Sequence, residues 1–176
     1  KRQELRNMGI NWTGRAFYDT VVAGDIEVLK LFLEGGFNPN TKLDWEMPVF
    51  AGVLVGNTSD KIEMLDLMHS YHSLEVNELL QTGVIYETGM PGRSELETLS
   101  TTRPHQSITY GKVPLLVLAL YAKEANLLNW LISHGTDLSQ QGYFVDVLNQ
   151  RDHLTVFTLA SEAKRIGAQD VLAILK

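Results

Sequence analysis

The chain has 176 residues, 44% of them apolar and 20% charged, with a formal net charge of −6. That composition suits a folded domain with a substantial core, and the acid excess argues against a phosphate-binding surface, so no nucleic-acid partner is expected. Cysteine is absent, which excludes disulfides, thiolate metal sites and a cysteine nucleophile, and no apolar run approaches the ~18 residues of a membrane span.

Leu5 and Met8 stand at helical spacing before Gly9, so residues 1–13 read as an N-terminal cap or half-repeat. The first residue is Lys rather than Met, and the chain is read as a fragment or a processed form. Its compartment is left open, the cytoplasm being favoured and a removed signal peptide or secretion allowed. The stretch RAFYDTVVAGDIEVLKLFLEGGFNPN, Arg15 to Asn40, then predicts two antiparallel helices. The first runs from about Arg15 to Val22, Gly24-Asp25 makes the turn, and the second carries Val28, Leu29, Leu31, Phe32 and Leu33. Gly35-Gly36 ends it, the second glycine taking a left-handed cap. The apolar face of the second helix is wider than its partner can cover, so further hairpins are required at its sides.

Those hairpins are present as a recurring phrase. Second-helix cores read VLKLFL (Val28–Leu33), MLDLMH (Met64–His69), LLNWLI (Leu127–Ile132) and VLAILK (Val171–Lys176). Exits read GINWT from Gly9, GFNPN from Gly36 and GTDLS from Gly135, with a weaker SLEVN from Ser73. In these exits the glycine caps the helix, the next apolar residue is expected to tuck back against it, and Asn, Asp or Ser side chains then bond turn backbone. First helices are expected to open at Met47-Pro48-Val49, Val113-Pro114-Leu115 and Thr155-Val156-Phe157, the prolines fitting a first helical turn.

These phrases resemble ankyrin repeats, whose period is about 33 residues with a T-P-L-H-x-A opening. The resemblance rests on "GDIEVLKLFLEGGFNPN", "MPVFAGVLVGN", "YGKVPLLVLALYA" with "LLNWLISHGTDLS", and "TVFTLASEAKRIGAQDVLAILK". It departs from the family where the T-P-L-H phrase is nowhere intact and where Ser73 replaces a cap glycine. It implies an all-α fold, an ankyrin-like solenoid of stacked helical hairpins with short finger turns and one long insertion. Residues 1–176 form one domain on this reading, with a cap over 1–13, repeats over 14–40, 41–77, 108–139 and 140–176, and an insertion over 78–107. Val28, Leu31, Phe32, Leu127, Leu131 and Leu175 are the expected core.

The insertion contains Gly83, Gly89, Pro91, Gly92 and Pro104, breakers that do not belong in helix interiors. Ser94-Glu95-Leu96-Glu97 has the spacing of a capping box, and Val84-Ile85-Tyr86 reads as a brief strand. A second lengthened connector, Gln140 to His153, either extends a finger as a small hairpin or covers the end of the stack.

Catalytic motifs are missing. There is no P-loop, dinucleotide fingerprint, H-E-x-x-H or G-x-S-x-G. His69 and His72 stand at i and i+3 without a third ligand nearby, and read as histidines favoured by a helix end rather than as a metal pair. No cofactor, metal or enzymatic activity is expected. The resemblance instead implies a protein-protein interaction module that holds a protein partner on its finger turns and concave face, with the 78–107 insertion contributing. Lys42, Asp44, Trp45, Tyr110, Lys112 and Tyr121 are the candidate contacts, alongside Val22 and Leu54. Val22, Leu54 and Tyr121 read as inter-repeat core before they read as contacts, and Trp45 reads equally as folded back onto the neighbouring hairpin. An immunity- or effector-type binder that inhibits a specific enzyme is the alternative, and an enzyme using the insertion a further one.

Overall fold

The structure, a computed structural model, describes residues 1–43, 47–81, 108–146, 153–165 and 167–175. They fall into two compact units, Lys1–Glu75 and Val76–Lys176.

The first unit contains α1 (Arg2–Asn7), α2 (Gly14–Ala23) and α3 (Ile26–Glu34). A 3-10 turn (Val49–Ala51) runs into α4 (Gly52–Val55), and α5 (Lys61–Tyr71) follows. Local chemistry sets the helix starts. The Thr13 hydroxyl accepts the Ala16 N–H at 3.2 Å, and Asp25 accepts the Val28 N–H at 3.1 Å, each satisfying a donor the helix leaves open. Between α2 and α3, Gly24 takes a φ of +75°, and a Cβ there would lie 2.5 Å from the Thr58 hydroxyl. A side chain at position 24 would therefore meet both backbone strain and a clash.

α2 packs on α3 and on the 3-10 turn and α4, while α5 packs on α3 and α4. At the centre lie four aromatic rings. Phe32 sits 5.4 Å from both Trp12 and Phe17 and 5.5 Å from Phe37, and Phe17 stacks on Phe37 at 4.8 Å. Such offset and edge-on pairs add to the area these rings bury. Val28 and Phe32 are buried as expected, whereas Leu31 is only partly so. The buried set of α3 is Val28, Leu29, Phe32 and Leu33, spaced one turn apart, which leaves Leu31 on the flank.

The second unit runs β1 (Leu79–Gln81), β2 (Ile108–Pro114), α6 (Leu116–Ala122), α7 (Ala125–Ser133), β3 (Gln141–Asp146), β4 (His153–Thr158), α8 (Leu159–Arg165) and α9 (Gln169–Ile174). α6 packs on α7 and α8 on α9, with further contacts between α6 and α8 and between α7 and α9. Leu116, Leu120, Leu127, Leu128, Leu131, Leu159 and Val171 are all buried. Leu175 lies one residue past α9 and is only partly buried.

Short helices carry the buried core, as the all-α reading expects. The connectors are a correction to it. They are not short finger turns in this unit but strands, joined in a four-stranded antiparallel sheet of order β1-β2-β3-β4. The expected small hairpin after residue 140 is β3 with β4, in unbroken register from Gln141↔Thr158 to Asp146↔His153. Thr155-Val156-Phe157 accordingly lies in β4 and does not open a helix; α8 begins at Leu159. Its β-branched and aromatic residues favour the strand once β3 offers a partner. The insertion boundary also moves. Leu79–Gln81 pairs with Lys112–Pro114, and the Glu78 carbonyl accepts the Leu115 N–H at 3.1 Å, so residues 78–81 belong to the framework. The rest of the insertion, including Val84-Ile85-Tyr86 and the Ser94–Glu97 capping box, lies outside the described residues.

Candidate interaction surface

Three helix exits share one backbone solution. Gly9, Gly36 and Gly135 have φ of +76°, +86° and +91°. In each case the next residue donates its N–H five residues back: Ile10 to Leu5, Phe37 to Phe32 and Thr136 to Leu131, at 2.9 to 3.1 Å. That is the bond a left-handed glycine cap makes possible. Phe37, Leu74 and Thr136, each following its exit's cap position, are buried.

Two asparagines then join one exit to the next. Asn40 donates to the Ser73 carbonyl at 2.8 Å and accepts the Glu75 N–H at 3.0 Å. Asn77 donates to the Gly135 carbonyl at 3.0 Å and accepts the Asp137 N–H at 2.8 Å. Each asparagine is the fifth residue of its own exit phrase, and each bonds the first and third residues of the following one. An amide carries both a donor and an acceptor, which is what this pair of backbone groups requires. Asn38 and Asp137 tighten their own loops, accepting the Asn40 and Ser139 N–H groups at 2.9 and 2.8 Å. Asp137 also accepts the Ser139 hydroxyl at 2.6 Å, and these two bonds from Ser139 hold its carboxyl below the usual carboxylate range.

The expected contact residues fall as follows. Lys42 is exposed in the connector after α3, where it bridges to Pro48, with the Leu43 N–H on the Met47 carbonyl at 3.0 Å and the Val49 N–H on the Thr41 carbonyl at 2.9 Å. Asp44 and Trp45 lie outside the described residues. Tyr110 and Lys112 stand two positions apart on β2, in register with Val145 and Tyr143 of β3. Tyr121 lies in α6. Val22 is partly buried and Leu54 is buried, so Leu54 is a core residue. Among the described candidates, Tyr110 and Lys112 share one strand.

His69 and His134 have backbone partners. His69 Nδ1 accepts the Leu74 N–H at 3.3 Å, and His72 ends α5. His134 lies 2.7 Å through Nδ1 from the Trp130 carbonyl, which can only accept, so that nitrogen carries the proton. Its ring stacks on Trp130 at 3.7 Å. Among the described residues no group of three or more His, Asp or Glu is placed to hold a metal ion, and no helix is long and apolar enough to cross a membrane.

Sequence reasoning passed over two features. One is the asparagine pair, whose signal was legible as the shared last residue of GFNPN and SLEVN. The other is Lys123, which takes a φ of +55° in the α6–α7 turn, where the α2–α3 and α8–α9 turns have Gly24 and Gly167. Lys123 also borders an open cleft of about 180 Å³ against Gly167, Gln169 and Asp170.

No protein-family model matches the chain, and no curated protein matches it.

Proposed function

We propose that this chain is a divergent ankyrin-like repeat protein that binds a protein partner through its fingers and adjoining first helices. The observation that carries the reading is the pair of asparagine bridges. Asn40 and Asn77 repeat the same two bonds at the same place in successive exit phrases, as expected of units that cannot bury their apolar faces alone and stack on their neighbours. The left-handed exits at Gly9, Gly36 and Gly135 support it, as do the packed helix pairs α2–α3 and α4–α5 within the first unit and α6–α7 and α8–α9 within the second.

In such an array the buried faces maintain the stack while the connectors vary freely. The connectors here are long and carry the candidate contacts Lys42, Tyr110 and Lys112, with Asp44 and Trp45 between Leu43 and Met47. Tyrosine and tryptophan are among the side chains that anchor protein interfaces.

The experiment is affinity capture from the native host extract with the full chain. A second bait replaces Lys42, Asp44, Trp45, Tyr110, Lys112 and Tyr121 with alanine. A stoichiometric protein held by the first bait and released by the second, with the two baits unfolding alike, supports the reading. Equal capture by both baits removes these residues from the interface, and capture of no protein by either opposes the function itself.

A further inference from the structure

We infer that His69 is a pH-sensitive latch on the exit of α5, holding the exit closed while its imidazole is neutral and releasing it on protonation. At this exit Ser73 stands where the other three have a glycine. Ser73 does not enter the left-handed region that Gly9, Gly36 and Gly135 occupy. At those glycines the following N–H reaches the carbonyl five residues back, that of Leu5, Phe32 or Leu131. At the α5 exit the corresponding N–H belongs to Leu74, and the residue five positions back is His69. There the bond is made to a side chain, His69 Nδ1 accepting at 3.3 Å. The imidazole does at this exit what a backbone carbonyl does at the others.

The substitution has a chemical consequence. A carbonyl does not titrate near neutrality, whereas an imidazole ordinarily does so around pH ~6.5. A backbone N–H can only donate, so Nδ1 is the bare nitrogen of the ring and the proton of the neutral form lies on Nε2. A second proton goes to Nδ1, onto the lone pair that receives Leu74. The bond is therefore present above the imidazole range and lost as pH falls through it, because proton uptake favours the open exit.

His69 holds the middle of three consecutive residues. Asn40 holds the flanks, donating to the Ser73 carbonyl and accepting the Glu75 N–H. Leu74, between them, is the buried one. His69 itself occupies the place of Leu5, Phe32 and Leu131, which are fully buried, yet it is only partly so, and water reaches it. α5 packs on α3 and α4, and α4 carries no titratable side chain. α3 carries Glu27, Lys30 and Glu34; Lys30 pairs with Glu27 at 2.9 Å and senses the Glu63 carboxylate of α5. Asp66 and His72 stand about one turn before and after His69, and Glu75 lies in the exit. Carboxylates attract an imidazolium and a second imidazolium repels it, but neither replaces the acceptor that Leu74 loses.

The test uses the full chain. The nitrogen resonances of the His69 ring and the exchange of the Leu74 and Phe37 amides are followed from pH ~8 to pH ~5, with exchange corrected for its intrinsic pH dependence. At the upper end Nδ1 is expected to show the signature of an unprotonated nitrogen. On descent Leu74 should lose protection at least ~10-fold in step with protonation of His69. Phe37, bonded to the Phe32 carbonyl at 3.0 Å, should keep its own. His69→Asn offers an amide oxygen that does not titrate, and Ser73→Gly lets the backbone take the left-handed cap and bond the His69 carbonyl. Leu74 is expected to stay protected at low pH in both. Should His69→Asn not fold, Ser73→Gly and the unmodified chain decide. A proton on Nδ1 at pH ~8 overturns the proposal. So does Leu74 protection that stays constant while His69 titrates, or that falls together with Phe37. The same loss in both folded variants as in the parent also overturns it.

Discussion

Asn77 bonds the loop of Asp137 from both sides of one amide, accepting the Asp137 N–H at 2.8 Å and donating to the Gly135 carbonyl two residues earlier. The bridge joins the start of the second unit to the exit of α7, across a sequence separation no local propensity can span. Gln140 reinforces it by donating to the Asn77 carbonyl at 2.7 Å.

Asn77→Ala is expected to lower stability by about 1–2 kcal/mol, the sum of two modest hydrogen bonds at a solvent-accessible site. Asn77→Asp keeps an acceptor for the Asp137 N–H but loses the donor to Gly135, and brings a second carboxylate toward that of Asp137. It is expected to be no more stable than the alanine variant. Urea midpoints of the three proteins check this, and an unchanged midpoint for Asn77→Ala would show that the bridge is incidental.

Lys123→Gly should stabilise the chain by roughly 0.5–1 kcal/mol. A non-glycine residue at φ +55° is strained, and glycine relieves more than its extra unfolded-state entropy costs. Thermal unfolding is the measurement. A lower midpoint would mean that the lysine side chain contributes contacts that outweigh the strain.

Leu131 is fully buried on α7, and its carbonyl receives the Thr136 N–H. Truncation to alanine should cost about 2–5 kcal/mol, combining lost burial with the cavity left behind. Leu31→Ala, on the flank of α3, should cost clearly less. Equal losses in chemical denaturation would contradict the burial pattern of α3.

Asp137 has a folded-state pKa held below its ordinary value of 3.8 by the hydroxyl and N–H of Ser139. A depressed carboxyl contributes stability that is fully present above the unfolded value and is lost as pH falls through the folded one. Stability should therefore decline as pH drops below ~4, and the difference between parent and Asp137→Asn should be larger near neutrality than at pH ~2. A difference independent of pH would remove Asp137 as a contributor.

Replacing residues 83–104 by a short Gly-Ser linker should leave unfolding close to that of the parent. Gln81 pairs with Lys112, so the two strands that this segment joins already lie side by side, and loop-closure entropy changes slowly with length. Binding of the captured partner should fall if the segment serves recognition. Collapse of folding would instead make it structural filler.

The first helical pair and its punctuation are legible in the residues alone. Thr13, Asp25, Gly24 and Gly36 act on backbone groups within a few residues, so their chemistry is legible without the rest of the molecule. The period of Val28, Leu29, Phe32 and Leu33 likewise marked which helix would be buried. Tertiary structure decided what depends on a distant neighbour. Leu31 and Leu33 are equally apolar, and only the direction from which α5 and the aromatic rings approach α3 assigns one to the flank and the other to the core. Thr155–Phe157 reads as a helix start or a strand until β3 lies alongside and supplies hydrogen-bond partners. The same holds for Asn40 and Asn77, whose side chains suit any turn, because the carbonyl and N–H that each one joins belong to a loop folded from a remote part of the chain.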